Sequence, residues 1–399
     1  EWRFVDCALA GAYLEEDSMS RSGVLEFFFL TDPEDFIMTH FPMSMSSLMV
    51  QEGLQMLAIP EPYSQFSCRA ILSVFAQETA LELTSHPMAQ VSVTKCETFS
   101  FRSEQLQNMA AVLRERTSGF KQKHCILCTR GGKNSFRVVV KPKVKGEFKL
   151  SVSGQARNAI DDSFHLLVNY YITVITVEQG FVPLPEHSGA WGASPQALGC
   201  GFSDRIFRFD VLACRSGEVY IKLPTTRFVS SRSSVTLTRE GVDREVTSDG
   251  GGHDGQMTLN QYTEGVVHIR ARFSERGFHR LSLLAQRYDV TDDASSSYTN
   301  VADFLIHSQN TSMVTASFPK IFPTAQGYRC LLLEPLVGEL ALNEPVLIRL
   351  KSTLLTRVKV DGLSMRRESA GDRDSDVWCL QYTPTCPGAS VYIYGGVSP

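Results

Sequence analysis

One pattern occurs three times along this chain and constrains its fold more than any other feature: an alternating apolar run, a turn with glycine, and a second alternating run. The first occurrence has Phe136, Val138 and Val140 before Lys145-Gly146, with Phe148, Leu150 and Val152 beyond. The second has Val267, Ile269 and Ala271 before Glu275-Arg276-Gly277, then Leu281 and Leu283. The third has Trp378, Leu380 and Tyr382 before Cys386-Pro387-Gly388, then Tyr392 and Tyr394. Side chains alternate across a strand, so each run reads as a strand with one buried face and each pair as an antiparallel hairpin. Leu150, Leu281 and Tyr392 share one offset from their glycines. The recurrences are spaced by somewhat more than the ~100 residues of an Ig-type sandwich, which predicts three tandem antiparallel β-sandwiches.

Further strands are expected at 71–75, 91–96, 125–130, 164–174, 206–212, 218–223, 235–238 and 346–350, and helical signals are few. Val182-Pro183-Leu184-Pro185-Glu186-His187, followed by Gly189 and Gly192, reads as a linker, as does the stretch from Phe318-Pro319 to Phe322-Pro323. The domain organisation is therefore a leading segment 1–60, sandwiches at 61–180 and 181–318, and a third at 319–399. The third reaches Tyr392-Ile393-Tyr394 without the further strand that the first has at 164–174, so it is expected to lack its closing strand.

A chain of 399 residues with 43% apolar and 21% charged residues can bury several cores and has no signature of disorder. Its formal charge of −4 supplies no basic field for nucleic acid. Apolar stretches such as 27–30 and 331–333 fall far short of the ~20 residues that span a bilayer, and no leader pattern opens the chain. The 10 cysteines are unevenly distributed, without one pair per segment, which favours reduced thiols in a cytosolic protein. An extracellular adhesion array would instead predict disulfides and a glycan on Asn310, in the sequon Asn310-Thr311-Ser312.

Two stretches near the start point to a family. Trp2-Arg3-Phe4-Val5-Asp6 resembles the strand of transglutaminase-like, papain-type domains that carries the acid of a Cys-His-Asp triad. The run from Phe28-Phe29-Leu30-Thr31-Asp32-Pro33 to His40-Phe41-Pro42 resembles the end of that domain in the kyphoscoliosis peptidase and hillarin family, and Leu83-Thr84-Ser85-His86-Pro87 the start of that family's first Ig-like repeat. The sequence departs from the family at Met43 to Val50, where a tryptophan is expected. The resemblance implies a mainly β chain: the C-terminal remnant of an α+β transglutaminase-like domain, then Ig-like sandwiches. It also implies protein partners in a cytoplasmic, cytoskeleton-associated setting.

It implies too that Asp6 is the triad acid, the residue that orients the imidazole which activates a thiol. In that fold the nucleophile and base precede the acid strand, so they are expected upstream of Glu1 and this chain is expected to be non-catalytic. The functional expectation is a protein-interaction and scaffold region. The alternative is the substrate-binding tail of a cysteine peptidase or transglutaminase. The competing reading of Asp6 is a solvated strand-end carboxylate. Cys7, its strand neighbour, is expected to face away from it. His40 is expected to be a packed or capping residue on a short helix begun by Pro33, which Asp32 caps and whose dipole Glu34 and Asp35 favour.

No cofactor or metal is expected. His124-Cys125-Ile126-Leu127-Cys128 is a lone CxxC; strand geometry would send its thiols to opposite faces, and no second ligand pair completes a site. Asp249 to Gly255 is glycine-rich but lacks the Lys-Ser/Thr and following helix of a phosphate loop. Lys141-Pro142-Lys143-Val144-Lys145 reads as a solvated basic hairpin tip.

Overall fold

A computed structural model describes residues 3–7, 28–42, 53–157, 163–239, 242–246, 257–273, 275–286, 298–309, 316–370 and 373–397. The chain divides into two compact units, 1–128 with 134–190, and 129–133 with 191–399.

The first unit holds nine strands: β1 (Glu82–Leu83), β2 (Gln90–Thr94), β3 (Glu97–Arg102), β4 (Leu106–Glu115), β5 (Lys121–Gln122), β6 (Ile126–Arg130), β7 (Ser135–Val140), β8 (Gly146–Ala156) and β9 (His165–Thr176). They form a four-stranded sheet, β1-β3-β7-β6, and a five-stranded sheet, β2-β9-β8-β4-β5. Taken in chain order as A, A′, B, C, C′, D, E, F and G, these are the ABED and GFC sheets of an Ig-like sandwich, with A′ parallel to G. The alternating runs explain the core. Phe99, Phe101, Phe136 and Val138 from one sheet meet Leu150, Val152, Tyr170 and Ile172 from the other, all buried.

The second unit repeats this order with β10 (Gly192–Ala193), β11 (Val211–Cys214), β12 (Glu218–Pro224), β13 (Ser231–Arg239), β14 (Val242–Val246), β15 (Thr258–Thr263), β16 (Val266–Arg272), β17 (Gly277–Gln286) and β18 (Tyr298–Ser308). One sheet runs β12-β16-β15. The other runs β10-β18-β17-β13-β14, with β11 parallel to β18. Ile221, Leu223, Ile269, Leu281, Leu283, Phe304 and Ile306 form the buried interior.

The same unit continues into β19 (Leu331–Glu334), β20 (Val346–Lys351), β21 (Arg357–Val360), β22 (Leu363–Ser364), β23 (Arg366–Ala370), β24 (Arg373–Tyr382) and β25 (Ile393–Gly396). Its sheets are β19-β20-β24-β23, the A-B-E-D order, and β22-β21-β25, the C′-C-F order. Among the described residues no strand flanks β25 on its far side, the position that β9 and β18 occupy in the other two sandwiches.

Three expectations are corrected. The strand–glycine–strand repeats are not hairpins. β7 pairs with β3 while β8 pairs with β4 and β9, and the same division separates β16 from β17 and β24 from β25. Each glycine turn is the corner at which the chain passes from one sheet to the other. Alternation reports which face is buried and not which strand supplies the hydrogen bonds, so a corner and a hairpin carry the same pattern. The second correction is at 71–75, where the chain turns into the helix Val74–Glu78 because the Ser73 hydroxyl accepts the Ala76 N–H as an N-cap. The third is at 206–212, where a 3₁₀ turn, Asp204–Arg208, precedes β11.

The second and third sandwiches are fastened through the connection between them. Gln326, in the helical turn Pro323–Gly327, accepts the Ser231 N–H and donates to the Ser231 carbonyl, each at 3.0 Å and buried. Arg272 pairs with Glu218, donates to the Ala316 carbonyl at 2.9 Å and lies 3.9 Å from the Phe318 ring centroid. Gln326→Ala strands both Ser231 backbone groups, at a cost of about 1–3 kcal/mol. The expected result is faster tryptic cleavage between the second and third sandwiches, with cleavage elsewhere unchanged.

Candidate functional site

Asp6 sits in a short antiparallel contact made by the opening segment. Phe4 and Thr31 exchange backbone hydrogen bonds at 2.9 and 2.8 Å, and the Asp6 N–H donates to the Phe28 carbonyl at 3.0 Å. After Thr31 the chain enters the helical turn Pro33–Phe36, with Pro at the first helical position and two carboxylates in the first turn, as its residues predict. Asp32 makes no side-chain cap, because its carboxylate pairs with Arg3; its carbonyl takes the Phe36 N–H instead.

The turn delivers His40 to Asp6. The imidazole Nε2 meets Asp6 Oδ2 at 2.9 Å, and Nδ1 meets the Thr39 hydroxyl at 2.8 Å. A carboxylate only accepts, so Nε2 carries the proton in this contact. The ring stacks on Phe36 at 4.2 Å, Phe36 stacks on Phe4 at 4.8 Å, and Phe28 approaches edge-on at 5.7 Å. His40 is thus packed, as expected, but it is also the partner of Asp6, which the sequence reading did not foresee. The two residues lie 34 positions apart, and no short-range spacing signals their meeting.

Beside the pair lies a shallow cleft of about 220 Å³ lined by Phe4, Pro33, Phe36, His40, Phe41 and Pro42. Its walls are aromatic and apolar. Hydroxyl, imidazole and carboxylate stand in the order of an acyl-transfer triad, but both ring nitrogens are committed, and the Thr39 hydroxyl also reaches the Phe36 carbonyl at 3.3 Å. The arrangement anchors the segment carrying Phe4 and Asp6 to the turn after it. Cys7, immediately following, is an exposed thiol.

The other singled-out residues do not converge on chemistry. Cys125 and Cys128 do not face opposite sides: both are buried in one core, because Cys125 precedes β6 and escapes the strand's alternation. Burial pushes their thiols up to about 11 and about 12, away from the thiolate that metal binding or redox chemistry uses. His124 turns instead to the Leu184 carbonyl at 3.1 Å. Across the chain, all ten cysteines are free thiols. Among the described residues no group of three or more His, Cys, Asp or Glu gathers at a metal-binding distance.

Lys141 and Lys143 lie over the Phe181 ring at 5.9 and 5.3 Å, and Lys141 pairs with Glu178 at 2.8 Å, so this basic turn packs on its own sandwich at a sheet-to-sheet corner. No helix among the described residues is long and apolar enough to cross a membrane. Trp2, Met43 to Val50, Asp249 to Gly255 (apart from its place in the sequence) and Asn310 lie outside the described residues.

No protein-family model matches the sequence, and no curated protein matches it. Similar solved structures include a chicken T-cell receptor, 10% identical over 57% of this chain and 98% of that one with a TM-score of 0.19. A marsupial T-cell receptor is 8% identical over 80% of this chain and 98% of that one, with a TM-score of 0.18. The titin domains Z1Z2 in complex with telethonin are 11% identical over 58% of this chain and 98% of that one, also at 0.18. At these scores the assignment of Ig-like sandwiches rests on the strand order of the chain itself.

Proposed function

We propose that this chain is a non-catalytic protein-interaction and scaffold region of a transglutaminase-like protein associated with the cytoskeleton. The observation that carries the reading is the set of Ig-like sandwiches, the third of which leaves the neighbouring Tyr392 and Tyr394 rings, 6.0 Å apart, exposed on its β22-β21-β25 sheet. Exposed aromatic side chains on a sheet face are the kind of surface that protein partners cover. The family resemblance of residues 1–42 supports the setting. The test is sedimentation of the purified chain with and without a cytoskeletal extract. The expected result is a defined heavier complex with an extract protein; a clean monomer with no partner would sink the reading.

A second reading keeps Asp6 as the acid of a Cys-His-Asp enzyme, with this chain as its substrate-binding tail. Its support is the resemblance of residues 2–6 to an acid-bearing strand; the imidazole that Asp6 holds, His40, lies downstream of it, whereas the family's base lies upstream. On that reading the chain by itself is inert in amine-incorporation and proteolysis assays. Turnover abolished by thiol alkylation would place a nucleophile within it.

A further inference from the structure

One end of the first sandwich concentrates positive charge. Residues 114–149 hold 11 Lys and Arg against 2 Glu, a net +9 in a chain whose total is −4. Strand pairing draws part of this charge together, setting Lys149 on β8 opposite Arg114 on β4, and Arg114 opposite Lys121 on β5. Leu113 and Leu150, their neighbours along the strands, point into the core, so the three cations stand in one row on the outer face. Like charges directly opposite each other cost stability. The carboxylates nearby, Glu147, Glu186 and Glu178, are taken by Arg116, Lys121 and Lys141, and among the described residues none meets Lys145 or Lys149.

Beside this row, two adjoining turns project apolar side chains. The turn between β4 and β5 and the corner between β7 and β8 are held together: the Arg116 N–H donates to the Glu147 carbonyl at 3.0 Å, and the Arg116 guanidinium pairs with the Glu147 carboxylate at 3.1 Å. Phe120 in the first turn is 68% exposed and Val144 in the second is 50% exposed. Lys121 follows Phe120, and Lys143 and Lys145 flank Val144. The segment before β1 packs at the opposite end of the sandwich, where the Ser73 N–H meets the Leu167 carbonyl and Leu72 bridges Val168 near the start of β9. The corner instead adjoins the far end of β9, with Gly146 opposite Val174.

We propose that this end of the first sandwich docks on a membrane surface rich in anionic lipid, with Phe120 and Val144 entering the interface and the surrounding lysines meeting the headgroups. The inference goes beyond the protein-interaction reading, which it neither needs nor excludes. The combination of charge and apolar tips selects the occupant. Lipid offers a layer of negative charge above an apolar layer, and long lysine stems hold their ammonium groups at headgroup level while the apolar tips reach below it. An acidic protein segment would satisfy the cations and leave both tips in water.

The test sediments the whole chain with vesicles of phosphatidylcholine containing about a third phosphatidylserine, and with vesicles of phosphatidylcholine alone. Saturable binding to the mixed vesicles is expected, weakened by high salt and absent from the neutral ones. Lys143→Glu combined with Lys145→Glu should weaken it roughly tenfold or more, and Phe120→Ala about fivefold. Melting temperatures should hold in both variants, since Phe120 and Lys145 are exposed and Lys143 rests only on the Phe181 ring. Absence of binding to the mixed vesicles, equal binding to the neutral ones, or unchanged binding by either variant at an unchanged melting temperature overturns the proposal. So does a fluorescein-labelled polyglutamate peptide that binds the chain more tightly than the mixed vesicles do and binds Phe120→Ala equally, because this end would then serve an acidic protein segment.

Discussion

Leu150→Ala and Leu281→Ala are each expected to lower stability by about 2–5 kcal/mol, while Tyr392→Ala, at the same offset from its turn glycine, changes it by less than ~1 kcal/mol. Both leucines are fully buried between two sheets, so truncation forfeits transfer free energy and leaves a cavity that the surrounding strands fill only in part. Tyr392 is 46% exposed, with its backbone N–H held by the Asp361 carboxylate at 3.0 Å, a bond that survives loss of the ring. Urea unfolding followed by circular dichroism measures all three. A Tyr392→Ala loss as large as those of the leucines would show that this residue is packed on both sides.

Acid is expected to destabilise the second sandwich by up to ~3 kcal/mol, through His268. This imidazole is buried, with its Nδ1 2.6 Å from the Tyr220 hydroxyl. Lys222 stands opposite it on β12 and Gln261 opposite it on β15; Arg270 follows on its own strand, and Lys351 of the third sandwich adds further positive charge. Burial first, then the three cations, pushes its pKa down to about 4.

The folded state therefore holds the neutral ring, while the unfolded chain takes up a proton near pH 6.5. Between those values the unfolded state binds more protons, so stability is fully present above about pH 6.5 and is lost as pH falls toward 4. Burial also lowers the pKa of His279 in the same sandwich, which adds a loss of the same sign. His268→Gln keeps a partner for Tyr220 and removes the titration. Melting temperatures at pH 7 and pH 4.5 should fall farther for the wild type than for His268→Gln. Equal falls would clear His268.

Much of the fold is legible in the linear pattern because a half-buried strand needs alternation wherever it lies. The runs at 136–140, 148–152, 267–271 and 281–283 mark strands that the structure buries on one face. The partner of each strand is another matter. Whether the chain turns back as a hairpin or crosses to the facing sheet depends on residues far away in sequence, and β7 and β8 cross. The offset shared by Leu150, Leu281 and Tyr392 misleads for the same reason. In the third sandwich the core face of β25 belongs to Ile393 and Gly395, and Tyr392 falls on the other face, a slip of one residue that period-two patterning cannot detect.

The candidate site divides along the same line. The turn at Pro33, with its acidic first residues, follows from local chemistry, and Asp6 stands out by its resemblance to an acid-bearing strand. That His40 is the imidazole Asp6 holds depends on the Phe4–Thr31 ladder and the stacking of Phe4 on Phe36, contacts between residues 27 and 32 apart that only a folded chain brings together. By itself the sequence determined that this chain would bury alternating faces in tandem antiparallel sandwiches, because side-chain alternation and turn glycines act over a few residues. Only the tertiary structure decided which sheets those strands join, which histidine meets Asp6, and which face of β25 turns to the core, because hydrogen-bond pairing and burial are set by segments distant along the chain.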